Sequence, residues 1–410
     1  MNGEILFLAH RLPFPPDRGD KIRSHHVLKA LAQIAPVHVG CLAETPADFD
    51  HLGELEALAA SWSMPRRARS LPLAGLEALW RGEPVSMAAF RSAKLAHWVR
   101  QVLDTRDISA IYVFSGQMGQ YVPADFRGRL VVDLVDVDSA KFDAYGAGGK
   151  GPRAWIDRRE GKLLRKVEAE LVRRADCTLL VSEAEADLLR SRVEFPGNIS
   201  ALRNGIDCLA YDPAKVLPHP ALDPATGPHV VFTGQMDYAP NVAAVERFAR
   251  QVLPRLREAF PTAQFHVVGR APTAAVQVLG REPGVTVWGE VPDVKPFLAA
   301  AQLVTAPLTI ARGVQNKVLE AMAMECCLLL TPEAATGIEA RHGEHFAVAA
   351  SDDELVAQAS ALLASAEDRW IIGKAARRFV LEGMSWQATL AGLETILSGV
   401  ERPAGARNAA

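Results

Sequence analysis

Cysteine is scarce in this 410-residue chain and follows no pattern. The five present, Cys41, Cys177, Cys208, Cys326 and Cys327, show neither a C-x-x-C nor a His/Cys metal spacing. An odd, unpatterned set argues against a disulfide framework and a zinc module, and fits reduced thiols. Charge of one sign is lacking as well. A net charge of −3 leaves no strongly basic domain, so no nucleic-acid partner is expected. No apolar run approaches the ~18 residues that span a bilayer. The N-terminus opens on a short strand-like stretch instead of a basic region and a long apolar one, so no signal peptide is read and the expected location is cytoplasmic. A G-x-G-x-x-G is missing too, which disfavours a dinucleotide.

What is present is globular. Hydrophobic residues make up 49% and charged residues 23%, and 410 residues exceed one ordinary core, so two domains are expected. Strands and helices alternate from the start. Glu4 to His10 reads as a strand buried on both faces, a proline-rich loop carries Gly19, and Lys21 to Ala32 reads as a helix. Strand, glycine loop and helix form the first unit of a doubly wound sheet, which binds ligands at the carboxyl ends of its strands. The alternation continues through Val37–Leu42 (strand), Asp48–Ala60 (helix), Lys94–Leu103 (helix), Ala110–Phe114 and Leu130–Leu134 (strands), and the long helix Arg153–Ala175. Met64 to Leu73, with Arg66, Arg67 and Arg69, reads as a basic link into another strand, and those arginines either face an anionic acceptor or membrane or lie in a solvated loop. The glycine-rich stretch Ala144 to Pro152 reads as a mobile loop.

At the end of the strand Leu130–Leu134 lie Asp133, Asp136, Asp138 and Ser139. Such a group can contact sugar hydroxyls or act on a reacting hydroxyl, can cap the helix that follows, or can offer hard ligands to Mg²⁺ or Mn²⁺. Five prolines between Tyr211 and Pro228 mark a linker, and beyond it the strand–loop–helix pattern starts again at His229. Gln264–Gly269, Val285–Gly289, Leu303–Pro307 and Cys327–Thr331 read as strands, with Asn241 capping a helix. The fold class expected is α/β, with two Rossmann-like doubly wound domains facing a cleft.

The stretch Ala306–Thr331 concentrates the chemistry. A loop with Arg312, Gly313, Gln315 and Asn316 opens into a helix whose Lys317 and Glu320, three apart, share a face. Helix-terminal N–H groups and one lysine suit a phosphate, and the carboxylate suits a sugar hydroxyl. A solvated ion pair on an ordinary helix fits the same residues.

Taken together, five motifs carry a resemblance. They are P-P-D-R-G-D-K-I-R (Pro15–Arg23), D-L-V-D-V-D-S-A-K (Asp133–Lys141), R-N-G-I-D (Arg203–Asp207), F-T-G-Q-M-D-Y-A-P-N (Phe232–Asn241) and A-R-G-V-Q-N-K-V-L-E-A-M-A (Ala311–Ala323). Along nearly its whole length the chain resembles a GT-B glycosyltransferase of family 4, and most closely the group of sugar transferases associated with bacterial exopolysaccharide and exosortase systems. The resemblance implies retaining transfer of a sugar from a nucleotide-sugar donor to a glycan or lipid-linked acceptor, with no essential metal and no cofactor beyond the donor. It implies an acceptor-binding domain over 1–212, a nucleotide-sugar-binding domain over 213–384, and a C-terminal helix, 385–402, returning to the first. Peripheral contact with the inner membrane is a further expectation.

By position, Glu320 matches the family's ribose-binding glutamate, and Lys317, Asn316 and the Gly313 backbone lie by the diphosphate. Gly234 and Gln235 sit on the loop after the second domain's first strand, and Gly19 meets the diphosphate from the other side. Lys317 and Arg312 would stabilise the leaving diphosphate, and Asp136 or Asp138 would orient the acceptor. The chain departs from the family at Arg312, which stands where the first of two paired glutamates belongs, and at Gln235-Met236-Asp237, where many members carry Arg-Lys. Two other functions stay open: a GT-B nucleotide-binding protein that has lost turnover, and a nucleotide-sugar 2-epimerase.

Overall fold

The structure, a computed structural model, describes residues 3–67, 71–148, 151–311 and 314–399. The chain divides into two units. Gly205–Ala388 is one, and the residues before it, joined by those from Thr389 onward, are the other.

The first unit is built on strands β1 Glu4–Ala9, β2 Val37–Gly40, β3 Ser61–Ser63, β4 Ile108–Phe114, β5 Arg129–Val135, β6 Cys177–Leu180 and β7 Ile199–Ala201. Their order is β3-β2-β1-β4-β5-β6-β7, and every pairing is parallel. A parallel sheet with both faces covered demands continuous apolar strands, and Ile5 to Ala9 are all fully buried. The chain moves outward from β1 to β3 and restarts on the other side with β4, so the order reverses between β1 and β4.

The second unit repeats the plan with β8 His229–Thr233, β9 Gln264–Val268, β10 Val285–Gly289, β11 Leu303–Ala306, β12 Leu328–Leu330 and β13 Ala347–Val348. The order is β10-β9-β8-β11-β12-β13, again all parallel, and reverses between β8 and β11. All five cysteines are free and buried, and burial pushes the Cys41 and Cys327 thiols up to about 12.

Three expectations give way to other structure. Among the described residues no strand follows the basic link after Met64; β3 precedes it, and Leu71–Arg81 is a helix. Ala74 and Ala78, four apart, make its buried side, a helical period and not a strand's. The glycine-rich stretch is helix up to Gly148, within Asp138–Gly148, and the Pro152–Arg174 helix follows. Its Gly146 serves packing: a Cβ there would lie 2.5 Å from Arg158 Cγ of the second helix. Asn241 is not a cap. Tyr238 holds that position, and Asn241 lies in the first turn of the Ala239–Arg247 helix, whose Pro240 is preset for a helix start.

The proline-rich stretch is tied down. Asp212 and Asp223 cap short 3₁₀ turns at Pro213–Lys215 and Pro224–Thr226, and the Asp223 carbonyl pairs with His229 Nε2 at 2.9 Å. At the C-terminal end the helix breaks at Gly392 into Trp386–Leu390 and Leu393–Ser398. The second piece belongs to the first unit, where Arg129 Nε on β5 donates to Ile396 O at 3.0 Å.

Candidate functional site

In the second unit β8 and β11 are neighbours at the point where strand order reverses, so the loop after β8 and the helix after β11 are brought together. The first carries Gly234 and Gln235; the second is Asn316–Ala323. Gly234 has φ +158 and Gly269, at the end of β9, has φ +153. A Cβ on Gly269 would fall 1.6 Å from the Gly234 carbonyl oxygen, and one on Gly234 would lie 2.9 Å from both Lys317 Nζ and Asn241 Nδ2. Only glycine allows these strand ends to approach each other and the lysine so closely.

Lys317 Nζ donates to Asn241 Oδ1 at 2.6 Å and lies 4.3 Å from the centre of the Phe232 ring. Asn241 Nδ2 in turn donates to Gln235 O at 2.8 Å, which fixes the amide's orientation. An ammonium has three protons to donate, and one amide oxygen and a ring face are a thin replacement for water. Burial accordingly pushes the Lys317 amine down to about 8, against the opposing pull of Glu320. Burial pushes the Glu320 carboxyl up, while the hydroxyl of Tyr211 and the charge of Lys317 act to hold it down. Beside them Thr233 Oγ1, at the end of β8, is buried and makes no hydrogen bond among the described residues. Arg270, exposed on the loop after β9, donates from Nη2 to Gln235 Oε1 at 3.1 Å, placing a second cation at the β8 loop.

Gly234, Gln235, Lys317 and Glu320 thus converge, with Asn316 exposed at the first position of their helix. Arg312 and Gly313 lie outside the described residues, as does Arg69. Three contributors escaped the sequence reading. Tyr211 sat in an apparent linker, Arg270 in an unremarkable loop, and Asn241 was read as a cap. The signal that marks them is spatial: Asn241 bonds Lys317, Tyr211 meets Glu320 and Arg270 bonds Gln235.

The first unit separates the acidic group. Asp133 is fully buried and receives Arg23 Nε at 2.9 Å, Arg23 Nη2 at 3.1 Å and the Tyr112 hydroxyl at 2.8 Å. Ser139 is buried too, donating from Oγ to Glu168 at 2.5 Å and from its backbone N–H at 2.8 Å. Asp136 and Asp138 stay accessible around Lys141, whose Nζ is 3.9 Å and 3.1 Å from them. The preceding Val135 has φ +69 and Ser115, at the end of β4, has φ +76; positive φ on a β-branched residue is strained, and such strain gathers at functional sites.

Gly19 starts the Gly19–Ile34 helix, and a Cβ there would meet nothing within 4 Å. Nearby Asp20 binds His10 and Arg11, and despite burial these partners hold its carboxyl well below the usual range. His10 stacks on Phe114 at 5.9 Å, and burial lowers its pKa. Its Nδ1 is buried without a partner among the described residues, at the place where this sheet reverses, which makes it a fourth missed candidate. Among the described residues no three His, Cys, Asp or Glu side chains form a metal-binding group.

Residues 227–365, about a third of the chain, match the family model "Glycosyl transferases group 1". The match spans β8 to the helix after β13 and includes Gly234, Lys317 and Glu320. Solved structures match along nearly the full length. Sucrose-phosphate synthase from Thermosynechococcus elongatus has a TM-score of 0.59 at 18% identity, covering 97% of this chain and 98% of its own. Anabaena HepE, in complex with UDP, has a TM-score of 0.60 at 15% identity, over 97% and 100%. WaaG, a glycosyltransferase involved in lipopolysaccharide biosynthesis, has a TM-score of 0.57 at 15% identity, over 97% and 100%. The chain has the GT-B fold. At these identities the likeness is one of fold, and for a GT-B chain the matched second unit supports glycosyl transfer in general. No curated protein matches the chain in sequence.

Proposed function

We propose that the chain is a glycosyltransferase that moves a sugar from a nucleotide-sugar donor to a glycan or lipid-linked acceptor with retention, in exopolysaccharide biosynthesis. The observation that carries this reading is Lys317, a half-buried ammonium with one hydrogen-bond acceptor among the described residues, set beside the Gly234 loop and pushed down to about 8 by desolvation. A diphosphate supplies the missing acceptors, and its charge restores the lysine's. Glu320, three residues on, takes the ribose hydroxyls, and Arg270 adds the positive charge that Gln235-Met236-Asp237 does not carry.

In the reaction the bond from the sugar's C1 to the diphosphate oxygen breaks and the acceptor hydroxyl forms the new bond on the same face. Negative charge builds on the departing phosphate oxygen as its bond to C1 breaks, so cations fixed beforehand around it lower the barrier, and that oxygen then takes the acceptor's proton. Asp136 and Asp138, beside strained Val135, orient the acceptor in the first unit.

The test is a titration with UDP, tried first because Anabaena HepE is described in complex with it, followed by other nucleoside diphosphates. Binding with a matching rise in melting temperature is expected, and Lys317→Ala and Glu320→Ala should each remove both binding and transfer. If no nucleoside diphosphate binds, or both variants retain full transfer, the assignment fails. Binding without turnover across acceptors would identify a nucleotide-binding protein instead.

A further inference from the structure

The Leu71–Arg81 helix is apolar on the wrong side. Its buried positions are Ala74 and Ala78, while Leu73, Leu76, Leu79 and Trp80 are 63%, 66%, 53% and 83% exposed. At 100° per residue these four fall on one arc, opposite the alanines. A helix that packs through alanine and presents leucine and tryptophan to solvent has a second surface awaiting a partner. Its one carboxylate, Glu77, is already matched by Arg81 at 3.2 Å and Arg91 at 2.8 Å.

The neighbouring element says what that partner is. Arg159 of the Pro152–Arg174 helix donates to Ala78 O and Glu83 O, at 2.9 and 3.1 Å, so that face of the long helix adjoins the C-terminal end of the apolar one. Trp155, Lys162 and Lys166 lie within one turn or two of Arg159 on the same side, and Trp155 is 55% exposed. Between Pro152 and Lys166 six basic residues face two acidic ones, and one of the two, Glu160, is buried and spent on Val85 N and Ser86 N. In a chain of net charge −3 this is a local positive field. A convex strip of leucine and tryptophan skirted by lysine and arginine matches the boundary of an anionic bilayer, where apolar side chains reach the acyl region and cations meet headgroups. An 11-residue helix is too short to span and can only lie in the surface, and no described helix is long and apolar enough to cross a membrane.

We propose that the Leu71–Arg81 helix and the Trp155–Lys166 face of its neighbour dock the first unit on an anionic phospholipid surface. The docking is independent of the donor site, so it stands or falls separately from glycosyl transfer. The test is flotation of the full-length protein with phosphatidylglycerol–phosphatidylcholine vesicles and with phosphatidylcholine alone, read alongside tryptophan emission. Binding to the anionic vesicles with a blue shift is expected, weaker by about tenfold or more on the neutral ones. L76S/W80S should lower vesicle binding by at least about tenfold while leaving nucleoside-diphosphate binding and circular dichroism unchanged. K162E/K166E should erase the preference for anionic lipid. Equal flotation of wild type and L76S/W80S overturns the proposal, as does absence of binding to either vesicle. A dimer in light scattering that L76S/W80S abolishes, without vesicle binding, overturns it in favour of a second copy as the partner.

Discussion

Each unit sets a cation next to a carboxylate, fully buried in the first and half-buried in the second, and the two pairs are opposites. Arg23 in the first unit is 1% exposed, and its guanidinium spends its donors on both Asp133 oxygens, on Leu202 O at 2.7 Å and on Asn204 Oδ1 at 2.9 Å. Tyr112 fills a further position on Asp133. Burial alone would lower the Arg23 pKa, but the Asp133 charge outweighs it and holds the group above its ordinary value. Lys317 in the second unit has, among the described residues, one hydrogen-bond acceptor and a ring face, and desolvation wins. A saturated buried pair is architecture, because nothing is left for a ligand to do. An unsaturated one stores a demand that an incoming diphosphate meets.

The sharpest way to break this contrast is to remove one member of each pair. Asp133→Ala leaves Arg23 buried and unpaired and should cost about 4 kcal/mol of stability, read by urea denaturation. Lys317→Met should do the reverse to the fold. The charged lysine is disfavoured in the folded state at pH 7, so the variant should gain about 2 kcal/mol, while nucleoside-diphosphate affinity falls by about a hundredfold or more. Destabilisation by Lys317→Met on the scale of Asp133→Ala would show that the lysine is architecture as well. Smaller again, Arg270→Ala should weaken the nucleotide by about tenfold with unchanged urea midpoint, since Arg270 is exposed and among the described residues its side chain bonds only Gln235.

The same contrast explains what could be read from the chain beforehand. Strand positions were legible because a doubly covered parallel strand has to be an uninterrupted apolar run, as Ile5–Ala9 and Val230–Phe232 are. Lys317 and Glu320 were legible because three residues on one helix keep them together whatever the rest of the fold does. Asp133 was grouped with Asp136 and Asp138 because sequence spacing cannot tell that Arg23, 110 residues away, takes it into the core. Asn241 and Arg270 come from a first helical turn and a β9 loop that the β9-β8-β11 order brings to Gln235, while Tyr211 reaches Glu320 from a bend outside the sheet. The Leu71–Arg81 helix misled for another reason: with its leucines outside and its alanines inside, its polarity pattern answers to a different surface from the core.

The finest test uses pH, to which the two cations should respond differently. Arginine stays charged throughout the accessible range, so Arg23 itself does not titrate near neutrality. Burial pushes Lys317 down to about 8, against 10.5 for an ordinary lysine. A diphosphate binds the protonated form, so affinity should fall as pH rises through 8, by about fourfold between pH 7 and 8.5, and Lys317→Met should flatten that dependence. Stability without ligand must move the other way. Between about 8 and 10.5 the unfolded chain carries a proton on Lys317 that the folded one lacks, so wild type should gain stability relative to Lys317→Met across that window. Opposite slopes for ligand affinity and for unliganded stability, both lost in one variant, identify a lysine waiting for an anion. If affinity holds level to pH 9 while the wild-type protein binds UDP, the diphosphate is held by the arginines and helix amides, and Lys317 belongs with Arg23.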